Sequence, residues 1–195
     1  NSGNYYQNCF IKTITLGNNI TDIGSNAFNG VGFYPTDANT MVYVFESENL
    51  KNSNVKSIGD SAFAYVRKSG YSFDLPTNLN ALGSYPFTSA SKVRVNSNIM
   101  HNISTGLNSG YLFTNSGDII FSSNVTYVTL GKFDSNTNAL VFEQDVNTEV
   151  TLNVTSMKSA TAITIYTDNN SVKNFDWATN NYTVTFKSLS EYTGS

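Results

Sequence analysis

The chain has 195 residues, only 13% of them charged, and a net charge of -3, which leaves neither the basic footprint of a nucleic-acid binder nor a basic membrane patch. A single cysteine, Cys9, rules out an internal disulfide and a Cys-rich zinc cage, and no stretch reaches the roughly 18 apolar residues of a membrane helix. Asn, Ser and Thr total 74, so polarity is carried by neutral hydrogen-bonding groups suited to turns, while 13% aromatic content supplies a core.

The chain opens on Asn1-Ser2-Gly3-Asn4 with no apolar leader, and Tyr6–Cys9 reads as the tail of a preceding coil; a piece of a longer protein is expected. Ile14-Thr15-Leu16 is the first of a series of apolar-x-apolar triplets, read as short strands. A phrase follows in which Ile20 stands eight residues, Ile23 five and Gly24 four before Phe28. The same spacing returns as Val55, Ile58, Gly59 and Phe63, then as Leu79, Leu82, Gly83 and Phe87. A fainter copy keeps Val125 and Val128 before Phe133. Apolar spacing repeated at twenty-odd residues marks a solenoid, each coil burying its side chains against its neighbours.

The first two Phe residues are 35 apart and the next two 24, so the second coil carries an insertion around Val42-Tyr43-Val44-Phe45. Gly30–Asn39 and Glu46–Asn54 are therefore expected to project as loops. Phe87 to Phe133 is 46, which places one degenerate coil near Ile103 and Tyr111. Further triplets are Phe73–Leu75, Val93–Val95, Ile119–Phe121, Leu140–Phe142 and Ile163–Ile165, with Val150–Leu152 as another candidate. One strand per coil, paired in parallel, gives a sheet about 30–35 Å long. The first and last residues of each triplet point inward and the middle one outward, so the outward row reads Thr15, Tyr43, Asp74, Arg94, Ile120, Val141 and Thr164. The Ile-Gly-x-x-Ala-Phe half is too short for a stable isolated helix and is expected to form one helical or 3₁₀ turn on the opposite face, its Gly at a tight backbone position. Beyond Phe133 the phrase decays through Val172–Phe175, and Asn181–Lys187 alternates as a final strand in a terminal cap. The expected organisation is one solenoid domain over 1–195, with clear repeats over 6–133 and degenerate coils plus a cap over 134–195.

These residues resemble the BspA-like leucine-rich repeat. Its consensus runs from Phe-x-x-Cys through an apolar-x-apolar-Pro strand to apolar-x-x-Ile-Gly-x-x-Ala-Phe, matched here by Cys9, Ile14–Leu16, Leu75-Pro76 and the three phrases. The resemblance implies a parallel-strand solenoid of about 23 residues per coil, found on bacterial surfaces and in secreted proteins and associated with adhesion and the binding of host proteins. It carries over no catalytic residue.

Catalysis finds little footing in the sequence. His101 is the sole histidine and has no positioned partner, and Cys9 reads as a small core residue. Asp74 and Asp118 fall on strands two apart, about 10 Å along the sheet, at the edge of glycosidase geometry. Glu46, Glu48, Glu143 and Asp145 read as solvated loop charge without a calcium-loop pattern. Trp177 and the tyrosines could stack on sugars. No catalytic, metal or cofactor site is therefore expected. The expected role is recognition of an extracellular protein by a monomer at a bacterial surface, through Thr15, Tyr43, Asp74, Arg94 and Ile120 with Tyr34 and Glu46 at the rim. Binding of a glycan as an accessory domain is the alternative, and a solenoid glycosidase or lyase using Asp74 and Asp118 a third.

Overall fold

Triplets that alternate apolar and polar residues can pair only if each coil delivers them to the same height, and the chain does so. A computed structural model describes residues 14–30, 50–64, 72–88, 90–98, 117–130, 139–154 and 161–194. Its strands, in chain order, are β1 (Asp22–Ile23), β2 (Ser57–Ile58), β3 (Ser72–Asp74), β4 (Ala81–Leu82), β5 (Lys92–Val95), β6 (Asp118–Phe121), β7 (Tyr127–Leu130), β8 (Ala139–Phe142), β9 (Thr151–Val154), β10 (Thr161–Thr167) and β11 (Tyr182–Lys187). Every strand pair among the described residues is parallel. The large sheet has six strands in the order β11-β10-β8-β6-β5-β3. The predicted triplets at 73, 93, 119, 140 and 163 all lie on it. Ile14–Leu16 forms no strand, and Val42–Val44 lies outside the described residues.

The opposite side of the coil differs from the sequence expectation. The Ile-Gly phrases form two-residue strands, β1-β2-β4, followed by turns and not by helical turns. Two facts explain this. The turn amides bond sideways to the adjacent coil: Asn26 N–H to Asp60 O (2.8 Å), Phe28 N–H to Ala62 O (2.8 Å) and Phe63 N–H to Pro86 O (2.8 Å). Those donors are then not available to a helix ladder. In addition Asn26, Ser61 and Tyr85, at one repeat position, all have φ between 53° and 58°, which ends a right-handed helix. Asparagine tolerates this conformation best of the three. Ser61→Asn is accordingly expected to stabilise the fold slightly, by under about 1 kcal/mol, as a rise in the urea midpoint.

Two later strands also sit on this second side. β7 pairs with β9, so Val150–Leu152 belongs here and not to the large sheet. The one α-helical turn described in full, α1 (Asn170–Lys173), follows β10 and is capped by the Asn169 side chain on Val172 N–H.

Inside, Phe28, Phe63 and Phe87 form a single stack. Adjacent centroids are 5.2 and 5.9 Å apart, with rings within 16° and 10° of parallel. Phe133 lies outside the described residues, as do Cys9, His101 and Tyr111. One apolar core continues from Ile23 to Tyr182. Ile20, matched to buried Val55, Leu79 and Val125 in later coils, is exposed at the first described coil. Leu50 is fully buried, so the loop expected over Glu46–Asn54 does not project throughout. At the corner after the large sheet, buried amides tie the coils of β8 and β10 to the ones before. Gln144 Nε2 donates to the carbonyls of Phe121, Ser122 and Val125, and Asn169 Nδ2 to those of Asp145 and Thr148. Each such bond supplies a partner that water would otherwise have to provide.

Candidate functional site

The outer face of the large sheet gathers side chains that lie far apart in sequence, because parallel pairing sets one residue from each coil in a row. Register aligns Asp74 with Arg94, Arg94 with Ile120, Ile120 with Val141, Val141 with Tyr166 and Tyr166 with Lys187. The sequence expectation had Thr164 where Tyr166 stands. β10 is seven residues long and pairs with β8 two residues further along than the triplet suggests, so Thr164 falls in the next row beside Ala139.

The polar end of this face is internally paired. Asp74 accepts from Asn96 Nδ2 and lies 3.3 Å from Lys51 Nζ. Arg94 makes a two-pronged ion pair with Glu143, which raises the guanidinium pKa further; Glu143 is thus not free loop charge. Asp118 accepts from the Tyr192 hydroxyl at 2.8 Å. The two carboxylates considered for glycosidase chemistry are therefore each committed to separate structural partners. Among the described residues no group of three or more His, Cys, Asp or Glu is placed to hold a metal.

The apolar end is covered. Ile120 is 5% exposed and Val141 fully buried, although both point away from the coil interior. Ile120 is thus not the exposed contact residue expected from the triplet pattern. Two crossings pass over this part of the sheet: the Arg94–Glu143 pair runs from β5 to the end of β8 across β6, and Tyr192 bridges Asp118 on β6, to which it is hydrogen-bonded, and the Tyr166 ring on β10, 5.2 Å away. A pattern of alternating residues reports the direction of a side chain but not whether another segment lies on top of it. Thr15 is exposed but lies outside any described strand, and Tyr34, Tyr43 and Glu46 fall outside the described residues. Trp177 is unavailable for sugar stacking: it is 5% exposed, donates Nε1–H to Val172 O at 2.8 Å, and meets Phe175 and Tyr182 edge-on in the core.

Tyr192 and Tyr182 have pKa values raised well above the ordinary tyrosine range, chiefly by burial and, for Tyr192, also by the bond to Asp118. The neutral phenol is thereby favoured in the folded state. Stability from this source is complete below the ordinary value of about 10 and is lost as pH rises from there towards the folded-state values. The urea midpoint is expected to fall between about pH 9 and about pH 11, and to fall less in Tyr192→Phe, whose ring cannot ionise.

No helix among the described residues is long and apolar enough to cross a membrane. The family model described as BspA type leucine-rich repeat region matches residues 38–153 in six copies. No curated protein and no solved structure matches the chain.

Proposed function

Because this chain belongs to the BspA-type leucine-rich repeat family, whose repeats form protein-interaction modules and are typically non-catalytic, we propose that it is an adhesion module of a bacterial surface or secreted protein. Its partner is an extracellular host protein, engaged through the outer face of the six-stranded sheet. The observation that supports this reading most is the row Asp74, Arg94, Ile120, Val141, Tyr166 and Lys187, which lines up one residue per coil along a continuous sheet and leaves its two ends accessible. Such a face offers Asp74, Arg94, Tyr166 and Lys187 as accessible contacts at a fixed spacing, with the charged groups of Asp74 and Arg94 held in place by Lys51, Asn96 and Glu143. Fixed side chains lose little entropy on binding. The low net charge gives little electrostatic steering, so modest affinity per site, raised by multivalent display, is the expected mode.

The glycan reading is weakened by the burial of Trp177. The glycosidase reading is weakened by the separate commitments of Asp74 and Asp118. The test is a panel of immobilised extracellular-matrix and plasma proteins beside a glycan array, probed with the chain and with Asp74→Ala and Arg94→Ala. Saturable binding to a protein, weakened at least about tenfold in both folded variants, is expected. Binding untouched by both variants would remove this face from the function, and turnover of any glycan would overturn the non-catalytic reading.

A further inference from the structure

The chain leaves β11 at the edge of the sheet and does not run away from it. Ser188 begins a capping box with Glu191, its backbone N–H donating to Glu191 Oε2 at 2.8 Å, and its hydroxyl reaches Asp168 Oδ1 at 3.0 Å. The 3₁₀ turn Leu189–Glu191 then redirects the backbone over the outer face. Tyr192 reaches Asp118 on β6 and Tyr166 on β10, and Lys92 Nζ on β5 donates to Gly194 O at 3.3 Å. From β11 to β5 is four strand spacings, about 19 Å, a distance that three 3₁₀ residues at about 2 Å each and four extended residues at about 3.3 Å each just span. Residues 188–194 thus form a strap laid across the strands.

The strap is held through side-chain bonds and adds no strand to the sheet. Ser190, Glu191, Thr193 and Gly194 are exposed, while Ser188, Leu189 and Tyr192 are half-buried. The strap crosses the apolar part of the row, where Ile120 and Val141 are buried, with a carboxylate at one side and an aromatic ring at the other. This is a receptor for a phenol: an apolar floor for the ring and an acceptor for its hydroxyl. A second requirement is visible at Gly194, whose backbone lies against the Tyr192 ring; a Cβ there would stand 2.7 Å from Tyr192 Cε2. Because Asp118 and Tyr166 pin that ring, it has little room to yield.

We propose that this channel, bounded by Lys92, Asp118, Ile120, Val141 and Tyr166, is the docking site for an extended segment of the form Tyr-x-Gly in the partner protein, and that residues 188–194 occupy it as an in-chain stand-in. The proposal rests on the reading of this face as the binding surface and names both the partner's chemistry and the regulation of the site. A tethered strap competes at an effective concentration of about millimolar. A free segment therefore gains access only when its affinity, or its multivalent presentation, exceeds that of the strap.

The test uses the full chain and its Tyr192→Ala variant, with a fluorescein-labelled peptide Ser-Leu-Ser-Glu-Tyr-Thr-Gly read by anisotropy. The variant is expected to keep its circular dichroism spectrum and bind the peptide saturably, with the intact chain at least about tenfold weaker because the strap competes. Replacing the peptide's Tyr by Ala, its Gly by Val, or Asp118 by Ala in the variant should each abolish binding. A folded variant with no saturable binding up to about 1 mM peptide would overturn the proposal. So would equal binding by the intact chain, or a variant that fails to fold, since a segment the fold requires cannot be displaced. An intact chain that sediments as a dimer while Tyr192→Ala is monomeric would give the channel to a second copy's tail and overturn the assignment to a partner protein. Failure of the peptide alongside retained, Arg94-dependent binding to a host protein would sink the strap and leave the broader function standing.

Discussion

Phe63→Ala is expected to lower the unfolding free energy by about 3–5 kcal/mol. Phe63 is 1% exposed and its ring is sandwiched between Phe28 and Phe87, with Phe73 tilted against it at 5.2 Å. Truncation removes contacts to both neighbouring coils at once. The cavity cannot collapse easily, because the backbones of those coils are joined by the amide bonds of the turns, Phe28 N–H to Ala62 O and Phe63 N–H to Pro86 O. In a solenoid, stability is close to a sum of coil terms and nearest-neighbour interfaces. The loss should therefore fall on the first three coils, with amide exchange accelerated there more than in β8 and β10. Phe28→Ala, at a half-buried end of the stack, should cost about half as much. Urea unfolding followed by circular dichroism checks both, and a Phe63→Ala cost under about 1 kcal/mol would be incompatible with the stack as core.

Gly59→Ala is expected to cost about 3 kcal/mol while Gly24→Ala stays within about 0.5 kcal/mol of the parent. The two glycines hold the same repeat position. A Cβ on Gly59 would lie 2.5 Å from Ser25 N and 2.9 Å from Gly24 C and Ser25 Cα, all backbone atoms. Gly83 meets Asp60 and Gly59 in the same way, at 2.6 Å from Gly59 C. No rotamer change relieves a clash with backbone, so the coils must part. Parting strains the bonds Gly59 N–H to Ile23 O (2.8 Å) and Gly83 N–H to Ile58 O (2.7 Å) that set their spacing. Among the described residues a Cβ on Gly24 meets nothing within 4 Å. Equal costs at 24 and 59, measured by urea unfolding, would show that the glycine serves its own backbone conformation and not the approach of the next coil. None of these three glycines has positive φ; that conformation belongs to Asn26, Ser61 and Tyr85, two positions later.

The functional face was only half legible for a related reason. Asp74 and Arg94 could be assigned to one outward row because the triplets around them differ in spacing by no insertion that matters to pairing. Tyr166 could not, since a seven-residue strand offers several registers with the same alternation and packing against β8 selects one. Nor was Tyr192 legible as part of the face: a short polar segment with one tyrosine carries no periodicity, and its place depends on Asp118, 74 residues earlier in the chain.

The sequence by itself determined that successive coils stack, which aromatic residues form the stack, and which side chains of β3, β5, β6, β8 and β10 turn inward. Those are properties of spacing, and a repeated apolar interval has one economical burial. Tertiary structure alone decided that each Ile-Gly phrase would become a strand, that Val150–Leu152 would join β7, and that Ile120 and Val141 would be roofed. Each of those outcomes depends on which backbone or side chain arrives from another coil to take up a hydrogen bond or cover a surface, and proximity of that kind is created only when the chain is wound.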